Sequence, residues 1–133
     1  MENFKLIELP KILDDRGNLS FFENNEQIPF IIERVYWIYD IPGGALRRGH
    51  AFKETEEFVI AISGSFDLVL QSGSKIKTHH LNRAYKGVYI PAMTWRHIEN
   101  FSTNSVALIS ASKPYDENDY IRDFEEFEQY KFN

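Results

Sequence analysis

The sequence predicts an all-β sandwich or barrel that ends in one short helix. Short runs rich in β-branched and aromatic residues recur at intervals of about 8–12 residues and are separated by turn signals. A segment near the C-terminus instead shows helical spacing of its apolar residues. Aromatic residues make up 15% of the chain, a high share, so some of these rings are expected to line a pocket or an interface.

Strand patterns occupy most of the chain. They cover Phe4–Leu9, Leu19–Glu23, Ile31–Tyr39, Phe58–Ile62, Phe66–Leu70, Lys75–Leu81, Gly87–Pro91 and Val106–Ala111. Turn residues separate them at the polar stretch 13–18, at Pro42–Gly44 and at Ser63–Ser65. The two strands that flank Ser63–Ser65 are expected to form a hairpin.

The C-terminal segment Glu117–Phe127 is predicted to form the helix. Tyr120, Phe124 and Phe127 recur at helical spacing, and the segment begins with acidic residues, which a helix N-terminus favours. We expect this helix to cover one edge of the β-structure.

Composition and charge restrict the class of protein. A chain of 133 residues fits one domain, residues 1–133, and the lack of cysteine excludes disulfides and thiolate chemistry. The net charge of −5 without a basic stripe argues against a nucleic-acid partner. No apolar run approaches the roughly 20 residues that span a bilayer, and the N-terminus has no signal-peptide pattern. We therefore expect a cytoplasmic protein with no membrane partner.

The spacing of glycine and carboxylate residues around His50 indicates a functional motif. Gly44 lies six residues before His50, and Glu57 lies seven residues before Gly64. This arrangement resembles the first motif of the cupins, which are small double-sheet jelly rolls (double-stranded β-helices). The stretch 87–100 resembles the second cupin motif, which implies a cupin-type jelly roll with the short C-terminal helix.

The four positions that hold a metal ion in many cupins are poor ligands here. They fall on His50, Phe52, Glu57 and Arg96. Phenylalanine has no donor atom and a guanidinium repels a cation, so we expect no metal and no other cofactor. The alternatives are that His50 works as an acid–base group or that it only makes a hydrogen bond inside the barrel.

Several stretches in order along the chain resemble the sugar-nucleotide 3,4-ketoisomerases, a cupin family that acts on dTDP-4-keto-6-deoxyglucose. They are Asp14–Gly17, Ile28–Phe30, Arg34–Tyr39, Arg48–Lys53, Ser63–Ser65, Tyr89–Pro91, Trp95 and Tyr115–Arg122. The resemblance implies that the ketone moves from C4 to C3 of the dTDP-linked hexose without metal or redox cofactor. It also implies a place in the synthesis of deoxyaminosugars for surface polysaccharide. The galacto and gluco products both stay open, as does dTDP versus UDP.

The resemblance also suggests catalytic roles. His50 is expected to be the base or proton shuttle, and Arg96 to stabilise the charge of an enediolate intermediate. Tyr36 or Tyr39 is expected to polarise the sugar oxygens, because one face of that strand must point inward. The family has a second histidine where this chain has Phe52, which would then be a wall that excludes water.

The predicted substrate-binding residues are Arg16, Arg34, Trp95, Glu57 and Arg122. Arg16 lies in an Asp-x-Arg-Gly stretch that resembles the dTDP-binding element of related epimerase cupins, and guanidinium groups bind diphosphate well. The competing interpretations are a turn arginine in solvent for Arg16, surface ion pairs for Arg34 and Arg122, and core packing for Trp95.

The expected ligand is a small molecule, and two other functions are open. The resemblance implies a dTDP-linked 4-keto-6-deoxyhexose as the ligand and a homodimer that exchanges the N-terminal strand. A binding module that holds the nucleotide sugar without turning it over is the first alternative. A metal-dependent cupin enzyme is the second.

Overall fold

The computed structural model describes residues 4–132, which form twelve strands, one 3₁₀ turn and one helix. The strands are β1 (Lys5–Glu8), β2 (Lys11–Ile12), β3 (Leu19–Ser20), β4 (Arg34–Ile38), β5 (Arg47–Phe52), β6 (Glu57–Ser63), β7 (Phe66–Ser72), β8 (Lys75–Leu81), β9 (Lys86–Ile90), β10 (Trp95–Glu99), β11 (Val106–Ala111) and β12 (Tyr120–Ile121). The 3₁₀ turn is Glu117–Asp119 and the helix, α1, is Phe124–Phe132.

Ten of these strands form two antiparallel five-stranded sheets that pack face to face. The first sheet has the order β1-β9-β6-β11-β4 and the second has the order β12-β5-β10-β7-β8, while β2 and β3 form a separate small hairpin. The all-β fold with a short C-terminal helix is therefore confirmed. None of the helices among residues 4–132 is long and apolar enough to cross a membrane.

The main core lies between the two sheets. Side chains that face inward from β6, β7, β9 and β11 are almost completely buried, for example Val59, Leu68, Val88 and Ile109. Two further clusters lie on the outer faces. Ile28 and the other apolar residues of the segment before β4 cover the first sheet, and α1 covers the second.

The packing of α1 depends on Trp95, which lies on the outer face of β10. The Trp95 ring contacts the rings of Phe124 and Phe127 at centroid distances of 5.3 and 5.6 Å. A Cβ atom added to Gly49 on the neighbouring strand would lie 2.6 Å from the Trp95 indole nitrogen. The absence of a side chain at Gly49 therefore lets this indole lie flat against β5.

The predicted helix over Glu117–Phe127 is wrong in its first half. Residues Glu117–Asp119 form the 3₁₀ turn, and Tyr120–Ile121 are extended and pair with β5, so the helix begins only at Phe124. The cause is Asp119, whose carboxylate accepts hydrogen bonds from the backbone N–H groups of Glu54 and Thr55 and from the Thr55 hydroxyl. These bonds hold the segment against the barrel in a conformation that a continuous helix does not allow.

Candidate active site

A cavity of about 470 Å³ opens between the edges of the two sheets, with β4 on one side and β5 and β12 on the other. Its floor is apolar and includes Val59, Leu68 and Ile109. The polar side chains around it include four arginines, one carboxylate, two histidines and two tyrosines. They are Arg47, Arg48, Arg96, Arg122, Glu57, His50, His97, Tyr36 and Tyr120.

His50 lies on β5 directly across from Arg96 on β10. Its Nε2 atom is buried without a hydrogen-bond partner in the described chain, while a backbone hydrogen bond with Arg48 favours the protonated ring. Since Nε2 is unpaired, this bond uses Nδ1–H as the donor, which leaves the lone pair on Nε2 free. Burial and then the charges of Arg96 and Arg122 lower the pKa of His50 to about 3. The imidazole is therefore a neutral base at physiological pH.

Glu57 connects the other polar groups of the cavity. Its Oε1 accepts a hydrogen bond from Nη1 of Arg96 at 2.6 Å, and its Oε2 accepts one from the Tyr36 hydroxyl at 2.5 Å. Glu57 and Arg96 are only 1% and 3% exposed. The two buried charges neutralise each other through this ion pair. Nη2 of Arg96, however, has no hydrogen-bond partner within residues 4–132.

Phe52 forms the wall behind these groups. Its ring lies 4.9 Å from the guanidinium carbon of Arg96, and its centroid lies 5.0 Å from the His50 ring and 4.5 Å from the Tyr120 ring. A phenyl ring at this place supports the arginine by a cation–π contact and shields the Glu57–Arg96 pair from water. Phe52 is thus part of a packed aromatic and ionic arrangement.

The donor set at the nominal cupin metal positions does not suit a metal ion. Glu57 has both oxygens engaged, Phe52 offers no donor and Arg96 brings a positive charge. Across the part of the chain that the structure describes, no group of three or more His, Cys, Asp and Glu side chains is placed to hold a metal.

The predicted tyrosines lie on opposite sides of β4. Tyr36 points into the cavity, whereas Tyr39, one residue past the end of the strand, is 60% exposed and does not line it. Strand alternation explains the difference, because Arg34, Tyr36 and Ile38 share the half-buried face and the intervening residues face outward.

The predicted substrate-binding residues are scattered. Arg122 lines the cavity, where it forms two hydrogen bonds to Glu117 at 2.8 and 2.9 Å and lies over the Tyr120 ring. Glu57 lines it too, as part of the buried pair described above. Arg34 lies behind Tyr36, its Nη2 atom 4.0 Å from Oε2 of Glu57.

Three of the predicted substrate-binding residues, Arg34, Trp95 and Arg16, do not line the cavity. Trp95 is in the cluster under α1 on the far face of the second sheet. Arg16 lies in the exposed turn between β2 and β3, where it forms an ion pair with Asp14. Roles in nucleotide binding for Arg16 and Trp95 stay predictions.

Four polar cavity residues were not proposed as site residues from the sequence, namely Arg47, Arg48, His97 and Tyr120. Tyr120 has its ring 5.4 Å from that of His50, and Arg47 and Arg48 lie just before His50 on the same strand. The doublet of arginines beside the histidine was a usable signal, because adjacent cations next to a base are typical of an anion site.

These features define a class: a double-sheet jelly roll whose cavity combines a neutral histidine with a buried arginine–glutamate pair. The family model described as "FdtA: WxcM-like, C-terminal" matches residues 2–132. The 3,4-oxoisomerase for TDP-4-oxo-6-deoxy-α-D-glucose from Aneurinibacillus thermoaerophilus is 39% identical over 130 residues, which cover 98% of this chain and 93% of that protein. The chain therefore belongs to the FdtA (WxcM-like, C-terminal) family.

Solved structures agree with this assignment. The TDP-quinovose 3,4-ketoisomerase WlaRB of Campylobacter jejuni is 40% identical with a TM-score of 0.93, and the match covers 97% of this chain and 99% of that one. A mutant of the 3,4-ketoisomerase QdtA from Thermoanaerobacterium thermosaccharolyticum, in complex with TDP-4-keto-6-deoxyglucose, is 32% identical with a TM-score of 0.94. That match covers 98% of this chain and 94% of QdtA. The resemblance to sugar-nucleotide 3,4-ketoisomerases is confirmed.

Proposed function

We propose that this protein is a 3,4-ketoisomerase that acts on dTDP-4-keto-6-deoxyglucose and moves the ketone from C4 to C3. The observation that carries the proposal is a pair of buried nitrogen atoms, Nε2 of His50 and Nη2 of Arg96. The two residues line the cavity and are register partners on the neighbouring strands β5 and β10. Neither nitrogen has a hydrogen-bond partner within the described residues. Nε2 of His50 can act as a base, and Nη2 of Arg96 can donate a hydrogen bond to an oxyanion. A keto–enediol conversion requires both groups.

The chemistry begins at C3 of the sugar, where the neighbouring ketone makes the hydrogen acidic. Nε2 of His50 removes this proton, and Arg96 stabilises the negative charge that develops on the C4 oxygen. A proton then moves from O3 to O4, and the enediolate takes up a proton at C4 from the imidazolium of His50. The product is an isomer of the substrate, so no oxidant, reductant or co-reactant is consumed.

The electrostatics of the cavity favour the nucleotide part of this substrate. Arg47, Arg48, Arg96 and Arg122 line the cavity, although the whole chain has a net charge of −5. Among the described residues, Glu57 pairs with Arg96 and Glu117 pairs with Arg122. A diphosphate can occupy the positive rim, which raises the local concentration of the anionic substrate and orients its sugar inward. We assign Arg122 and the Arg47–Arg48 doublet to the diphosphate, while Arg96 is already bound to Glu57 and faces the sugar.

We also propose a homodimer in which the N-terminal strand is exchanged. The outer face of β4 carries an exposed apolar row, Val35, Trp37 and Tyr39, which are 46%, 56% and 60% exposed. Contiguous exposed apolar patches are typical of protein–protein interaction surfaces. A cytoplasmic location and a role in surface-polysaccharide sugars belong to the same proposal, since the substrate is a nucleotide sugar.

The test is to incubate the protein with dTDP-4-keto-6-deoxyglucose and to follow the sugar by NMR. The proposal predicts loss of the C4 ketone signal and appearance of a 3-keto-6-deoxyhexose. The Tyr39→Phe variant is a suitable control because Tyr39 lies outside the cavity. Tight binding of dTDP by calorimetry without any turnover would instead select the non-catalytic binding module.

A further inference from the structure

The two oxygen atoms of Glu57 have different partners. Oε1 accepts from Nη1 of Arg96 at 2.6 Å, whereas Oε2 accepts from the Tyr36 hydroxyl at 2.5 Å. Arg34 is the next cation, with its Nη2 atom 4.0 Å from Oε2. The carboxylate is 1% exposed, so protein groups, and not bulk water, determine which donors it meets.

An arginine next to a carboxylate normally forms two parallel hydrogen bonds, one to each oxygen. Arg96 does not, because only its Nη1 atom reaches Glu57. Nη2 is buried without a partner in the described part of the chain, and this arrangement costs free energy. The described group that donates to the second oxygen is the Tyr36 hydroxyl.

We propose that Tyr36 is a positioning residue that holds Oε2 of Glu57 away from Arg96 and so keeps Nη2 of Arg96 free for the substrate oxygen. This inference rests on the proposed ketoisomerase function. It assigns to Tyr36 a different role from the one predicted from the sequence, in which the tyrosine polarises the sugar oxygens itself. In the structure the hydroxyl proton of Tyr36 is already donated to Glu57.

The surroundings of Tyr36 make it a dependable donor. Burial first, and then the charge of Glu57 and the hydrogen bond to it, raise the pKa of Tyr36 well above its ordinary value. The hydroxyl therefore stays protonated over the working pH range of an enzyme. The Phe52 ring packs against the guanidinium group and limits the movement of Arg96, which helps to fix the orientation of the Nη2 atom.

A double-mutant cycle on Tyr36 and Glu57 tests the inference. In Tyr36→Phe, Oε2 loses its donor and turns to Nη2 of Arg96, so kcat should fall by about 100-fold, as for loss of one oxyanion donor. Calorimetry should show dTDP affinity within about two-fold of the wild type, because the diphosphate site is untouched. In a Glu57→Gln background the amide has only one acceptor oxygen and cannot form the fork. There Tyr36→Phe should change kcat by less than about three-fold, a strong non-additivity.

Other outcomes would overturn the inference. If Tyr36→Phe costs the same factor in both backgrounds, the hydroxyl acts on the sugar directly. If dTDP affinity falls along with kcat, Tyr36 only maintains the shape of the cavity.

A crystal structure of Tyr36→Phe provides a readout that does not depend on turnover or on a folded Glu57→Gln variant. It should show Nη1 and Nη2 of Arg96 both within hydrogen-bond distance of Glu57. Capture of Oε2 by Arg34, with Nη2 of Arg96 still unpaired, would contradict the inference. An inactive wild type would refute the proposed function alone, and this structure would still decide how Arg96 is held.

Discussion

Acid should destabilise this protein in part through one side chain, the imidazole of His50. Burial and neighbouring arginines lower the pKa of His50 to about 3 in the folded chain, against an ordinary value of 6.5. As the pH falls below 6.5 the unfolded chain binds a proton on this ring, whereas the folded chain does not until the pH nears 3. The folded state therefore loses stability as acid is added, beginning near the ordinary pKa of histidine.

The size of the loss follows from these two pKa values. At about pH 8 the ring is neutral in both states and has no effect on the free energy of unfolding. At about pH 5 the unfolded ring is almost fully protonated and the folded ring is still neutral, which favours unfolding by about 2 kcal/mol. The effect is large against the 5–15 kcal/mol or so that stabilises a typical domain.

The assay is urea unfolding of the wild type and of His50→Asn at about pH 8 and about pH 5. Asparagine can keep a hydrogen bond to the backbone of Arg48 but does not titrate. Subtracting the variant from the wild type removes the contribution of every other titrating group. The wild type should lose about 2 kcal/mol more than the variant between the two pH values.

An equal loss of stability in the two proteins would refute this reasoning. It would mean that the folded ring takes up its proton as easily as the unfolded one, so that His50 is in contact with water and is not held neutral. A larger loss in the variant would have the wrong sign and would refute it as well.

Three further predictions concern the buried pair, the helix and the pH dependence of activity. Arg96→Met should lower stability by about 3–5 kcal/mol, measured by chemical unfolding, because it leaves Glu57 charged and buried without its main partner; a loss below about 1 kcal/mol would contradict the buried pair. Trp95→Ala should cost about 3–5 kcal/mol through the cavity left under α1, with dTDP affinity unchanged by calorimetry; weaker dTDP binding would instead support the nucleotide-binding role predicted for Trp95. The rate constant kcat/KM should show no acid limb near pH 6.5, because the pKa of His50 is lowered to about 3. An acid limb at the ordinary histidine pKa would contradict this lowered pKa.

Strands with regular alternation were the part of the fold that the sequence predicts best. The bounds of β8 and β11 agree with the predicted segments Lys75–Leu81 and Val106–Ala111. Both segments lie between clear turn residues, and their side chains alternate between the two faces of a sheet. Strand-forming residues between turn signals were sufficient to place both strands, although most of β8 is exposed.

Three strands that carry the site, β5, β10 and β12, were not predicted from local signals, whereas β4 and most of β6 were. β5 contains Arg47, Arg48 and Gly49, which have little preference for a strand, and it is stabilised by pairing with β10 and β12. The extended conformation of Tyr120 likewise depends on hydrogen bonds that Asp119 accepts from a loop more than 60 residues earlier in the chain. Such long-range contacts have no local sequence signature.

The sequence indicated several residues of the candidate site but not the hydrogen bonds between them. Motif spacing was enough to single out His50, Glu57 and Arg96, and strand alternation narrowed the tyrosine to Tyr36 or Tyr39. Tyr36, Glu57 and Arg96 lie on three different strands. In the structure the Tyr36 hydroxyl lies 2.5 Å from Oε2 of Glu57, and Nη1 of Arg96 lies 2.6 Å from Oε1. Register and burial decide those contacts, and neither is fixed by residue type.

Phe52 shows why the sequence alone left the chemistry open. A phenylalanine in place of an expected second histidine is equally compatible with an inactive relative and with a working one. The structure places its ring against the Arg96 guanidinium and the His50 imidazole, where it completes a packed wall. A single base in a shielded cavity is therefore the arrangement that the proposed mechanism has to use.

The most direct test of the central claim is exchange of sugar hydrogen with solvent in D₂O. Wild-type protein and His50→Asn are each incubated with dTDP-4-keto-6-deoxyglucose, and deuterium at C3 and C4 is measured by NMR. The account predicts deuterium on the sugar with the wild type and none above background with the correctly folded variant. Exchange at the same rate in the variant would show that another group moves the proton and would contradict the assignment of His50 as the base.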